Sequence, residues 1–171
     1  MKLDEAITAA LEYEEGVYKV YLDAMDKTDD EAGKRIFKVL CDEEMGHLAY
    51  LKDRLNEWKK TGKIVVKELK TSIPSREKIK EGLQDLNKTV KPKATKQILQ
   101  MELLKKALDA EVKASNFYKD MVSKLDGDGQ ALFKRFVEIE EGHEAIVQAE
   151  MDSVSQLGFW FDMPEFRLEM E

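Results

Sequence analysis

The sequence predicts an all-α protein in which two helical hairpins, joined by a long crossover, form a four-helix bundle. Only three Pro and nine Gly occur in 171 residues, and Ala, Leu, Glu, Lys and Met, which favour long helices, are common. Apolar residues recur at helical spacing in four long segments. The length suits one domain with a sizeable core, and we assign residues 1–157 to that domain.

The four segments are the predicted helices, at residues 3–26, 30–60, 94–125 and 129–157. A short polar turn at residues 27–29 separates the first two, and a second turn at residues 126–129 separates the last two. Connections as short as these force neighbouring helices to run antiparallel, so each pair of helices is predicted to be a hairpin.

The connection between the hairpins, residues 61–93, is long for a compact domain. It contains Pro74, Pro92 and a short helical pattern at Ile79, Leu83 and Leu86. Helices of ~30 residues are ~45 Å long, so a chain that returns along the bundle needs a connection of this order. The predicted topology is up-down, crossover, down-up.

Composition and charge exclude several classes of protein. The 35 acidic and 28 basic residues give a net charge of −7, with no basic stripe that would bind the phosphates of a nucleic acid. No apolar run approaches the ~20 residues that span a bilayer, and the acidic N-terminus does not resemble a signal peptide, so we expect a cytoplasmic protein without a membrane partner. The single cysteine, Cys41, excludes an intrachain disulfide and a four-cysteine metal site, and is interpreted as a small buried hydrophobic residue.

The two hairpins are copies of one pattern, with an offset of 96 or 97 residues between equivalent positions. The first helix of each hairpin carries Ala-Leu-x-x-Glu followed by a tyrosine, and the second helix carries Glu-x-Gly-His. The chain has only two histidines, and both fall at the same place in this repeat. The equivalent residues are Glu14 and Glu111, Tyr21 and Tyr118, Glu44 and Glu140, and His47 and His143.

The four glutamates and two histidines of the repeat are predicted to hold two metal ions. A spacing of three residues puts each Glu-x-x-His pair on one helix face. Counting residues from the two turns places all six side chains near one level of the bundle, with mismatches of about 3 to 5 Å. Helical phase selects Glu14 over Glu15, and it turns Glu43 and Glu141 away from the site.

Carboxylates and imidazoles without a thiolate suit iron, with manganese as the alternative. Four negative charges balance two divalent ions. Tyr21 and Tyr118 are predicted to hydrogen-bond the ligand carboxylates, and the alternative is that they are ordinary core aromatics. Gly46 and Gly142, just before each histidine, predict close approach of a neighbouring helix or space for a ligand, since a glycine costs a helix interior about 1 kcal/mol, and the alternative is that they are ordinary surface glycines.

The repeated combination of Glu-x6-Tyr with Glu-x-x-His resembles the ferritin-like di-iron carboxylate proteins. The shared Glu-x-Gly-His, and the Trp-Lys-Lys-Thr-Gly sequence at residues 58–62, are similar to their rubrerythrin-like branch. The resemblance covers residues 1 to about 155 and implies the ferritin-like four-helix bundle. The roles that it implies are bridging or chelating for Glu44 and Glu140, terminal for Glu14 and Glu111, and capping one ion each for His47 and His143.

Two departures from the rubrerythrin pattern bear on the activity. Two-domain rubrerythrins end in a rubredoxin with four iron-binding cysteines, which a chain with Cys41 alone cannot form. Ala114 stands where the family has an additional glutamate, whose exchange with histidine accompanies peroxide reduction. The resemblance therefore implies an external electron donor such as a rubredoxin or a flavoprotein.

The function that the resemblance implies is a di-iron oxidoreductase that reduces hydrogen peroxide or dioxygen in oxidative-stress defence. Two alternatives remain open. One is an iron-oxidising and iron-storage protein, which the long crossover and the aromatic tail disfavour. The other is a metal-free interaction bundle, in which the carboxylates form salt bridges with the many lysines.

The C-terminal segment, residues 158–171, is rich in aromatic residues and is too apolar to remain in water. Two arrangements are open: the segment packs on its own bundle, or it forms an interface in a dimer. We expect a homodimer, and the long crossover would permit hairpins to be exchanged between its subunits.

Overall fold

The computed structural model describes residues 1–89, 97–158 and 160–161, and these form five α-helices. The helices are α1 (Leu3–Lys27), α2 (Glu31–Thr61), α3 (Arg76–Thr89), α4 (Ile98–Lys124) and α5 (Gly127–Leu157). No strand occurs within the described ranges, so the predicted all-α class is confirmed. None of these helices has both the length and the apolar character needed to cross a membrane.

The four long helices lie close to their predicted positions. The helix α5 begins two residues earlier than predicted, at Gly127, and Asp128 then lies in its first turn, where a negative charge is favourable near the helix N-terminus. The predicted start of the third long helix, residues 94–96, lies outside the described residues.

The helix α1 packs along α2, α4 packs along α5, and α1 also packs against α4. At the turn between α1 and α2, the Asp30 side chain accepts hydrogen bonds from the backbone N–H groups of Ala32 and Gly33, which caps α2. The buried Gln100 of α4 binds the same turn, accepting from the Thr28 hydroxyl at 2.6 Å and donating to Asp29 at 2.7 Å. These contacts fix the second hairpin against the end of the first.

The crossover follows the outside of α2 and α5. Its first part is held by two arginines: Arg54, which is buried in α2, donates to the backbone carbonyl of Val65, and Arg135 of α5 donates to that of Leu69 at 2.8 and 3.0 Å. The predicted short helical pattern is confirmed as α3, whose buried Ile79 faces the core while the helix packs on α5. The last residues of the predicted crossover, 90–93, lie outside the described ranges.

The described part of the C-terminal segment packs on its own bundle. Trp160 is buried and meets the ring of Phe37 edge-on, at 5.4 Å between ring centroids. Gly33 makes room for it, because a Cβ atom there would lie 2.7 Å from the indole ring. The backbone N–H of Phe161 donates to the buried carboxylate of Glu150. Residues 159 and 162–171 lie outside the described residues.

Candidate metal centre

The six side chains predicted as metal ligands meet in the interior of the four long helices. Each of them is at most 1% exposed. Placing four carboxylates together away from water is unfavourable unless cations or protons compensate their charge. The helices contribute them as follows: Glu14 from α1, Glu44 and His47 from α2, Glu111 from α4, and Glu140 and His143 from α5.

The side chains form two groups of three, each with two carboxylates and one imidazole. One ligand atom of every member lies within 4.8 Å of the others in its group. The first group is Glu14, His47 and Glu140, and the second is Glu111, His143 and Glu44. Exchanging the equivalent positions of the two repeats, Glu14 with Glu111, His47 with His143 and Glu44 with Glu140, converts one group into the other, so each group takes residues from both copies of the pattern.

Glu44 and Glu140 lie between the two histidines. Glu44 directs Oε1 toward Nδ1 of His143 at 3.0 Å and Oε2 toward Nδ1 of His47 at 3.3 Å. Oε1 of Glu140 lies 3.7 Å from Nδ1 of His47, and its Oε2 lies 3.9 Å from Nδ1 of His143. Each of these two carboxyl groups therefore has one oxygen toward either histidine.

Glu14 and Glu111 each accompany one histidine. Oε2 of Glu14 lies 2.8 Å from Nδ1 of His47, and Oε1 of Glu111 lies 3.4 Å from Nδ1 of His143. The two imidazole rings stack at 5.2 Å between centroids with their planes 17° apart. Nδ1 of each ring lies beside the carboxyl groups. Glu14 and Glu111 therefore lie on opposite sides of the centre, each beside the histidine of its own group.

Two buried tyrosines connect the carboxylates across the hairpins. The hydroxyl of Tyr21 in α1 donates to Oε1 of Glu111 in α4, and the hydroxyl of Tyr118 in α4 donates to Oε1 of Glu14 in α1. Burial raises the pKa of both phenols well above the ordinary value, so both remain protonated donors at neutral pH. Each terminal carboxylate therefore has one oxygen held in place.

Electrostatics in the metal-free protein favour uptake of protons. Burial, and then the charge of Glu44, raise the pKa of Glu14 to about 8, and burial with the charge of Glu14 raises that of Glu140 well above its usual value. Burial alone would lower the pKa of His47, but Glu44 above all raises it to about 10. Burial would raise the pKa of Glu44, but His47 and His143 hold it below its usual range. The centre needs positive charge, whether from protons or from metal.

Several buried atoms of the centre have no hydrogen-bond partner among the described residues. They are both carboxylate oxygens of Glu44, Oε2 of Glu111, Oε1 of Glu140, Nε2 of His47 and both ring nitrogens of His143. Buried polar atoms are nearly always paired, so a cluster of unpaired acceptors needs an explanation. A bound cation provides one, and oxygen and imidazole donors without a thiolate fit iron or manganese. The centre can therefore hold metal ions.

The prediction that Glu43 points away from the site is wrong. Its side chain is largely buried, and Oε2 lies 3.5 Å from Nε2 of His143. Phase along α2 alone could not show this, because α5 and the crossover cover the flank of α2 that carries Glu43. The repeat offered a signal, since the equivalent residue, Ile139, is apolar and buried. Glu141 does face outward as predicted, and lies 3.6 Å from the ammonium of Lys119.

Cys41 and Ala114 contribute no ligand to the centre. Cys41 is buried, and burial raises the pKa of its thiol to about 11, so the sulfur stays protonated and unreactive, as expected of a small hydrophobic residue. Ala114 is completely buried in α4 and presents only a methyl group to the interior.

The two repeated glycines lie in different environments. Gly142 lies under the crossover, where a Cβ atom would be 3.3 Å from the backbone carbonyl oxygen of Pro74, so the close approach is made by the crossover and not by a helix as predicted. Gly46 is exposed, and nothing lies within 4 Å of the position that a Cβ would take, which agrees with the alternative of an ordinary surface glycine. The crossover passes over α5 and not over the equivalent face of α2.

This difference predicts opposite effects of the same substitution. We expect Gly46→Ala to raise the free energy of unfolding by about 0.5–1 kcal/mol through helix propensity. We expect Gly142→Ala to lower it by about 1 kcal/mol, because the displaced crossover backbone outweighs that gain. Urea denaturation of the metal-free variants measures both values, and shifts of the same sign would contradict the difference in packing.

No protein-family model, no curated protein and no solved structure matches the chain. What the centre does is therefore inferred from its own residues.

Proposed function

We propose that the protein is a ferritin-like four-helix bundle of the rubrerythrin-like kind, that it holds two iron ions, and that it reduces hydrogen peroxide or dioxygen. The observation that carries this proposal is the position of Glu44 and Glu140, each with one oxygen toward either histidine. Two carboxylates shared in this way favour a pair of ions over a single one. The four carboxylates also match the charge of two divalent ions.

The side chains of the chain have separate tasks in this proposal. His47 and His143 present Nδ1 to the centre, and the tyrosines hold one oxygen of each terminal carboxylate. Phe136 closes one side, with its ring 5.5 Å from that of His47 and 4.9 Å from that of Tyr118. The bound iron would supply the electrons for reduction of the oxidant, which these side chains cannot supply themselves. The residues of the chain therefore bind the ions, orient the ligands and exclude water.

Re-reduction requires a partner in this proposal. The one cysteine of the sequence is buried and protonated, so it does not provide an internal electron carrier. We therefore propose that a separate one- or two-electron carrier, such as a rubredoxin or a flavoprotein, restores the reduced state. Manganese remains the alternative metal, because the same donors suit both ions.

A stopped-flow experiment tests the reaction. Metal-free protein is loaded without oxygen with two iron(II) per chain and mixed with hydrogen peroxide or, separately, with dioxygen. We expect the bound iron to be oxidised on the order of 10-fold faster than free iron(II) by one of the two oxidants, because the centre holds both ions together in a preorganised, water-excluded site.

Two adjacent glutamates of α5 give a matched pair of variants. Glu140→Ala removes a proposed shared ligand and should abolish the rapid phase, whereas Glu141→Ala changes an outward-facing neighbour and should retain it. Oxidation no faster than that of free iron with both oxidants would refute the oxidoreductase proposal. Continued uptake of iron beyond two ions per chain would favour iron storage instead.

A further inference from the structure

The crossover fixes Glu43 beside the metal centre. One carboxylate oxygen of Glu43 accepts hydrogen bonds from the backbone N–H and the hydroxyl of Ser72, at 2.8 and 2.6 Å. The other oxygen accepts from the hydroxyl of Thr71 at 2.6 Å and lies 3.5 Å from Nε2 of His143, too far for a hydrogen bond. Three hydrogen bonds from the crossover therefore hold both oxygens of Glu43 in place beside His143.

The other half of the repeat has no equivalent of this carboxylate. The residue equivalent to Glu43 is Ile139, whose side chain offers no hydrogen-bond acceptor. Nε2 of both histidines is buried and makes no hydrogen bond among the described residues, but only Nε2 of His143 has a carboxylate oxygen of these residues within 4.0 Å. The ligands of the two positions are therefore duplicated, but their surroundings differ.

We propose that Glu43 is a positioning residue that makes the two metal positions inequivalent, so that the position formed by Glu44, Glu111 and His143 binds its ion more tightly. This inference rests on the proposed two-metal centre. Glu43 acts through His143: a carboxylate at Nε2 retains the proton on that nitrogen and leaves the lone pair of Nδ1 free for the ion. It also fixes the orientation of the ring.

The expected loss of metal affinity can be taken from other ligating histidines that have a partner behind the ring. Loss of a carboxylate or carbonyl partner behind a ligating histidine commonly costs 10- to 100-fold in metal affinity, and we expect a value in that range. His47 lacks such a partner, so its ring is oriented by packing, including the edge-on contact with Phe136.

Glu43, His47 and His143 could instead form a metal site of their own. One oxygen of Glu43 and one ring nitrogen from each of His47 and His143 lie within 4.8 Å of one another, so this group could also hold an ion. A neutral imidazole has only one lone pair, so an ion bound there through Nε2 would remove both histidines from the inner positions. The short contacts of both Nδ1 atoms with the inner carboxylates favour the inner positions.

Cobalt(II) titration of the full metal-free chain, followed by visible absorption and competition with a chelator, tests the proposal. We expect two ions to bind in two steps that differ by about 10-fold or more in affinity. The variant Glu43→Gln keeps the size of the side chain and removes its charge. It should weaken the tighter step by about 10- to 100-fold and leave the weaker step unchanged.

Two further variants serve as controls. Glu141→Gln removes one charge from an outward-facing neighbour of a ligand and should leave both steps unchanged. Thr71→Val removes one hydrogen bond that holds Glu43 while retaining the carboxylate, and should weaken the same step to a smaller extent. If circular dichroism shows that Glu43→Gln does not fold, the Thr71→Val result decides, since a merely structural role would not weaken one step selectively.

The outcomes separate this inference from the proposed function. Equal weakening of both steps, or no weakening, would overturn the positioning role of Glu43 while leaving the two-metal centre in place. A third cobalt ion that Glu43→Gln abolishes would show that Glu43 is a ligand and would also overturn it. A wild-type chain that binds no cobalt would overturn both proposals.

Discussion

Loading the metal-free protein with iron(II) is expected to raise its melting temperature by roughly 15–30 °C. Each ion present at about a thousand times its dissociation constant stabilises the folded state by about 4 kcal/mol, so two ions contribute about 8 kcal/mol. For a chain of 171 residues, each kcal/mol shifts the melting temperature by roughly 2–4 °C. Calorimetry without oxygen, with iron(II) or manganese(II) added, measures the shift.

The metal-induced rise should depend on the two carboxyl groups that lie between the histidines. The double variant Glu44→Gln with Glu140→Gln removes both of these buried groups. We expect it to lose the metal-induced rise in melting temperature, because the ligands shared between the two ions are missing. The variant Glu141→Gln should retain the full rise.

Two outcomes of the melting experiments would contradict the proposed metal centre. A melting temperature that is indifferent to both iron(II) and manganese(II) would support the metal-free interaction bundle, although the buried carboxylates lie against the histidines and not against lysines as that alternative supposes. Equal rises in the wild type and in the double variant would mean that the ions bind elsewhere on the acidic surface.

The candidate ligands could be predicted from the sequence because each depends on a pattern within one helix. The spacing of three residues in Glu44 and His47 fixes a shared face, and the repeat at Glu140 and His143 makes chance occurrence improbable. Burial of Glu14 also follows from the helical phase of its own apolar neighbours. Helical periodicity and the repeat were therefore sufficient to identify these candidate ligands.

The surroundings of the ligands could not be predicted in the same way. The position of Glu43 depends on where the crossover runs, and the crossover is held by contacts of Arg54 and Arg135 with backbone carbonyls, which have no sequence signature. The path of the crossover also explains why Gly142 is covered while Gly46 is exposed. A duplicated sequence predicts duplicated ligands, but a single crossover can cover only one half of the pair.

The metal-free protein is expected to lose stability as the pH rises, in contrast to proteins whose carboxylates form ordinary salt bridges. The pKa of His47 is raised from 6.5 to about 10, so its contribution is fully present below pH 6.5 and is lost as the pH rises through about 10. The pKa of Glu14 is raised from 4.5 to about 8, so folding is progressively disfavoured as the pH rises between these values. In both cases the folded chain binds more protons than the unfolded chain.

The expected decrease in the free energy of unfolding between pH 6 and pH 9 is on the order of 6 kcal/mol, since each pKa unit corresponds to about 1.4 kcal/mol and the shifts of Glu14 and His47 together span about four and a half units in this interval. Urea denaturation of metal-free protein at these two pH values measures it. Metal reverses the sign, because His47 and Glu14 must give up their protons to bind an ion, and binding therefore strengthens as the pH rises. A metal-free stability that increases from pH 6 to pH 9 would mean that the carboxylates are not held together in the folded chain, and the two-metal centre would lose its structural basis.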